Sequence, residues 1–138
     1  MEKTDQMRFT PPVQVVYALR QAINEFFEEG SVNKYNRYLE NWQTLRTGLK
    51  KLGFKLLLDP DDESHILLTV IEPEDSRFDF NKMHDLLYKM DITIYPGKIA
   101  DRNTFRLSIM GELKKSDIDL FLVKLEQVLA QMNIHLVN

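Results

Sequence analysis

Two side chains in this sequence have chemistry that their neighbours do not explain away. Arg106 lies inside an apolar run with strand alternation, Phe105-Arg-Leu-Ser-Ile109. A guanidinium is permanently charged, so in such a run it needs a carboxylate partner or an opening into a cleft. Its planar fork matches a carboxylate in bidentate fashion. Taken by itself, the alternation equally permits an edge-strand arginine in a local ion pair. Thr10 precedes Pro11 and Pro12 at the expected start of a helix. Its hydroxyl, close to free amides and the positive end of a helix dipole, can contact a phosphate. The two prolines remove two donors there, and a simple N-cap accounts for Thr10 as well.

Other reactive side chains point away from catalysis. His65, His84 and His135 are far apart in the sequence, and isolated histidines are usually surface or structural residues, so no metal site is expected. Asp59, Asp61, Asp62 and Glu63 fall in a segment rich in breakers, which reads as a solvated turn rather than a general acid–base pair. No nucleophile elbow, zinc helix or glycine-rich phosphate loop is written in the chain. The 138 residues include no cysteine, which excludes disulfides, thiolate metal centres and a thiol nucleophile, and is compatible with a reducing cytoplasm. A net charge of −3 with interspersed signs argues against nucleic acid as a partner. No apolar run approaches the roughly 20 residues that span a bilayer, and the first residues lack the basic and apolar regions of a signal peptide.

The elements that must position these side chains follow from periodicity. Thr10-Pro11-Pro12 reads as a helix start, and Val16, Leu19, Ile23 and Phe26 or Phe27 continue a helix over 11–29, up to Gly30. Ser31 opens a second helix whose stripe, Tyr35, Tyr38, Trp42, Leu45, Leu49 and Leu52, ends at Gly53. That stripe suits a coiled coil too, but core packing explains the same spacing. Phe54–Leu58 and Ile66–Ile71 read as strands. Asp79, or nearby Asp75 and Ser76, introduces a third helix carrying Met83, Leu86, Leu87 and Met90. Strands are predicted at Ile92–Tyr95 and Thr104–Met110. A last helix follows with a Ser116/Asp119 capping box, then a short strand from Ile134 to Val137. The order predicts a single α+β domain over 1–138: a small, mainly antiparallel sheet of about four strands with helices on one face, preceded by two long N-terminal helices.

Several segments together carry a family resemblance. Arg8-Phe-Thr-Pro-Pro-Val13, Asn36-Arg-Tyr-Leu-Glu-Asn41, Tyr95-Pro-Gly-Lys98 and Thr104-Phe-Arg-Leu-Ser-Ile-Met-Gly-Glu-Leu113 resemble, in order and spacing, the C-terminal small domain of the 2-aminoethylphosphonate–pyruvate transaminases. These are class V, fold type I, pyridoxal-phosphate-dependent aminotransferases. The resemblance implies that Thr10 donates to the phosphate of a cofactor held in the neighbouring subunit of a homodimer. It implies that Arg106 pairs with the substrate α-carboxylate, and that Tyr95–Lys98 forms a loop leading towards that arginine. Lys98 does not match the cofactor-anchoring lysine, which belongs to a large domain absent from this sequence. The isolated chain is therefore expected to hold no pyridoxal phosphate and to show no transaminase activity, with amino and keto acids as ligands of the intact cytoplasmic enzyme. Two departures stand out: Met7 replaces a frequent aromatic, and Ser108 replaces the glycine of an Arg-Ile-Gly pattern. The alternative is a free-standing α+β binding or oligomerisation module, with Thr10 a cap and Arg106 a surface ion pair.

Overall fold

A computed structural model describes residues 9–97, 99 and 102–136. Two compact units divide the chain, Met1–Tyr35 and Asn36–Asn138.

The first unit holds α1 (Val13–Glu29) and the start of α2 (Ser31–Lys51). Helix α1 begins two residues later than the sequence suggests. Thr10 precedes Pro11, and Pro11 precedes Pro12, and a residue before proline is pushed out of the helical region. Pro12 therefore takes the flanking position that was expected of Thr10, and no side chain caps the helix. The helix stops at Gly30, whose amide still donates to Phe26 O at 2.9 Å and whose positive φ of 81° then turns the chain out of the helix. Every α1 residue up to Glu28 is exposed, Val16, Tyr17, Leu19 and Phe27 among them.

The second unit is built on a four-stranded antiparallel sheet in the order β1 (Lys55–Leu56), β2 (Leu67–Ile71), β4 (Thr104–Ser108), β3 (Tyr95–Pro96). Alternation sorts β2, and β4 from Phe105 onwards. Leu68, Val70, Phe105 and Leu107 enter a core completed by Trp42, Leu45 and Leu49 of α2, Met83 and Leu87 of α3 (Phe80–Tyr88), and Ile118, Leu125, Val128 and Leu129 of α4 (Lys115–Gln131). The α2 stripe is thus core packing from Tyr38 onwards, with Tyr38 itself half-buried, while Tyr35 stays exposed.

Several boundaries differ from expectation for local reasons. Phe54 and Ile94 are buried in the core rather than paired in the sheet, which shortens β1 and leaves β3 with Tyr95 and Pro96. A proline is tolerated there because β3 is an edge strand. Asp79 caps α3 as expected, accepting from Lys82 N at 2.9 Å. At α4 the capping carboxylate is Asp117, which accepts from Lys114 N at 2.8 Å, so Ser116 lies within the helix and Asp119 instead pairs with Lys115 at 2.6 Å. After α4, Asn133 takes a positive φ of 56° and Ile134 is buried without pairing. Residues 134–136 form no strand, and Val137 lies outside the described residues.

Candidate functional site

Arg106 sits in the middle of β4, opposite Thr69 of β2 on one side and Tyr95 of β3 on the other. Its strand is interior to the sheet, so the edge-strand reading fails. The Arg106 side chain is exposed, and among the described residues no hydrogen bond or ion pair engages its guanidinium. It stands on the sheet face that the helices leave uncovered, with Ser108 two residues further along. Beside it opens a groove of about 380 Å³ whose wall includes Ile92, Ile94, Tyr95, Pro96, Ser108 and Phe121. A fixed positive fork at the wall of a largely apolar groove is suited to a small carboxylate, because the groove thins the competing water.

Ser108, the residue that replaces a glycine in the resemblance, has its hydroxyl engaged. It donates to Ile66 O at 3.3 Å and accepts from Met110 N at 3.2 Å, fastening the end of β4 to the start of β2. The segment that follows is clamped by α2. Arg37 donates from one terminal nitrogen to Gly111 O at 2.9 Å and Leu113 O at 3.0 Å, and Asn41 donates to Leu113 O at 2.7 Å. Tyr38 Oη accepts from Gly111 N at 3.2 Å. The Asn36–Asn41 motif thereby acquires a physical role, holding the exit of the strand that bears Arg106. Its helical spacing, with Arg37 and Asn41 one turn apart, was visible in the sequence; the loop that it grips was not.

Thr10 lies in the first unit, exposed, and its hydroxyl makes no hydrogen bond among the described residues. It is not the helix cap. Arg106 lies in the second unit.

Pro60–Asp62 is a short 3-10 turn with Asp61 and Asp62 exposed, as expected of solvated turn residues. The Glu63 side chain instead is 3% exposed and accepts from Trp42 Nε1 at 3.0 Å and Arg46 Nε at 3.1 Å. His65 packs its ring 4.6 Å from that of Trp42, and His84 lies 3.0 Å from the Asp85 carboxylate. Among the described residues no three histidine or carboxylate groups gather to hold a metal. Hydrogen bonds from Arg77 hold the half-buried Asp75 carboxyl at about 2, below its ordinary 3.8. No helix among the described residues is long and apolar enough to cross a membrane.

No family model matches the chain. Individual relatives do. A 2-aminoethylphosphonate–pyruvate transaminase from Polaromonas sp. is 40% identical over 120 residues, which take in 86% of this chain and 32% of that protein. Another, from Cupriavidus pinatubonensis, is 36% identical over 135 residues, 97% of this chain and 36% of that protein. The chain is homologous to part of the 2-aminoethylphosphonate–pyruvate transaminases. It spans about a third of the length of these relatives. Among solved structures, an alanine–glyoxylate aminotransferase from Nostoc sp. superposes with a TM-score of 0.80 at 27% identity, over 92% of this chain and 34% of that one. The transaminase resemblance read from the motifs near Thr10 and Arg106 is therefore matched along nearly the whole chain.

Proposed function

We propose that this chain is the C-terminal small domain of a pyridoxal-phosphate-dependent transaminase that moves the amino group of 2-aminoethylphosphonate to pyruvate. The observation that carries the reading is Arg106, a guanidinium on an interior strand at the wall of an apolar groove that no other described residue engages. A fork so placed binds a carboxylate through two parallel hydrogen bonds and fixes the orientation of a keto acid, lowering the entropic cost of reaching a reactive pose. The relatives' names support the substrate pair, and the aminotransferase fold match supports the reaction class over a free-standing module.

Pyridoxal phosphate, when bound in the whole enzyme, supplies the electron sink for the transfer. Thr10 fits the phosphate of that group: the residue is exposed, its hydroxyl is not consumed as a helix cap, and Pro11 and Pro12 bring no backbone N–H of their own. In this reading the anchoring lysine belongs to a large domain outside these 138 residues, and Thr10 serves a cofactor across the interface of a homodimer. The chain alone then holds no cofactor and has no transaminase activity, and the intact enzyme works in the cytoplasm on amino and keto acids.

The test is Arg106→Ala in the intact enzyme. Removing one partner of a desolvated, hydrogen-bonded charge pair costs about 2–5 kcal/mol, so kcat/KM for pyruvate is expected to fall roughly thirtyfold or more. Arg106→Lys keeps the charge but loses the fork and is expected to fall in between. Unchanged kinetics in Arg106→Ala would remove the assigned role.

A further inference from the structure

We infer that Gly97 is a positioning residue for the guanidinium of Arg106: its missing side chain is the space across which the arginine stem is laid towards the groove. The inference rests on the carboxylate-binding reading of Arg106 and adds the device that aims it.

Gly97 follows β3 directly and is buried. A Cβ built on it would stand 2.4 Å from Arg106 Cγ, 2.9 Å from Cδ and 3.0 Å from Nε. Three consecutive atoms of the arginine stem therefore pass over this one α-carbon. A contact at Cγ, near the root of the side chain, cannot be relieved by bending the tip. Either the backbone at 97 moves or the arginine changes rotamer.

The backbone is the better anchored of the two. Gly97 N donates to Thr104 O at 3.3 Å, and Gly97 O accepts from the Thr104 hydroxyl at 2.5 Å. Thr104 is fully buried and stands two residues before Arg106 on the same strand. Displacing Gly97 would break two hydrogen bonds and leave a buried hydroxyl unpartnered, which is costly. Arg106 is exposed and, among the described residues, has no partner to hold it. A methyl group at position 97 therefore drives the arginine into another staggered well, and its tip swings by several ångströms away from its place at the groove wall. Pro96 holds the preceding backbone at a fixed φ, which restricts how the chain approaches β4 ahead of the glycine.

The experiment has two arms. In the 138-residue chain, Gly97→Ala is expected to shift the side-chain Nε–Hε resonance of Arg106 while leaving the backbone amide signals of Phe105 and Leu107 in place. An unmoved Nε–Hε signal, or displacement of the whole strand, overturns the inference whatever Arg106 binds. In the intact enzyme, Gly97→Ala is expected to raise KM for pyruvate roughly ten- to hundredfold, the scale of a misplaced binding group. In an Arg106→Ala background the same substitution should change nothing further. An equal rise in both backgrounds means that the methyl group acts through the β3–β4 backbone, which also overturns the inference. If Arg106→Ala by itself leaves KM unchanged, the carboxylate-binding reading fails, and the resonance shift still decides whether Gly97 positions the arginine.

Discussion

Replacing Glu63 with alanine should destabilise the second unit by about 3–5 kcal/mol, the range for removing one partner of a buried, hydrogen-bonded ion pair. The magnitude follows from what one carboxylate oxygen holds. Its Oε2 accepts from the Trp42 indole at 3.0 Å and from Arg46 Nε at 3.1 Å, with side-chain exposures of 3% for Glu63 and 14% for Arg46. The alanine leaves the indole N–H without an acceptor, at about 1–3 kcal/mol. It also strands the guanidinium, whose hydrogen bond to a charged group contributes about 1.5–3 kcal/mol. Glu63→Gln retains a carbonyl acceptor of the same reach and should lose roughly 1–2 kcal/mol. Asp61→Ala, at an exposed position of the same loop, should stay within about 0.5 kcal/mol and serves as the control. Urea unfolding followed by fluorescence reads the site directly, because Trp42 is the one tryptophan of the chain, and circular dichroism checks that the transition is global. A loss in Glu63→Ala no larger than that in Asp61→Ala would refute the claim that the carboxylate ties α2 to the loop before β2.

Asp75 makes a pH prediction whose sign is fixed by the direction of its shift. The folded carboxyl titrates at about 2, below its ordinary 3.8, so any stabilisation from the Arg77 pair is complete above the ordinary value and is lost as pH falls through about 2. Carboxyl carbon shifts against pH should show that low midpoint, and Arg77→Ala should return it towards 3.8. Asp79→Ala removes the carboxylate that accepts from Lys82 N and should cost about 0.5–2 kcal/mol in thermal unfolding, the usual range for a lost N-cap.

The elements were legible wherever local pattern and burial agreed. Trp42, Leu45 and Leu49 recur at helical spacing and are buried on one face of α2. Phe105 and Leu107 alternate with exposed Arg106 and Ser108 on β4. The misreadings arose where a residue answered to distant partners. Ile94 reads as a strand residue because it is apolar and branched, but it is drawn into the core, and pairing is left to Tyr95 and Pro96. Glu63 reads as solvated because its neighbours are Asp61 and Asp62, whereas its two donors come from α2, 17 and 21 residues earlier. Thr10 misled for a local reason: the residue before a proline is excluded from the helix, so two prolines in succession delay the start to Val13.

Arg106 shows why the candidate site was half legible. Strand alternation places its side chain opposite the core and says nothing about whether the strand has neighbours on both sides. That depends on β2 and β4 pairing across the intervening α3 and β3 to give the order β1-β2-β4-β3. An arginine on an edge strand can turn sideways into solvent and meet a local carboxylate. On an interior strand its route is restricted to the open face, between Thr69 and Tyr95. Within that face Gly97 leaves room for the arginine stem on the β3 side, and Ser108 and the α2 clamp hold the end of the strand in place. The direction of the guanidinium is thus set by residues from three separate stretches of sequence, none of which carries charge-binding chemistry of its own apart from Arg37. For this reason Tyr95-Pro-Gly97 and the motif at 36–41 look inert when read as chemistry and become intelligible as supports for a single arginine.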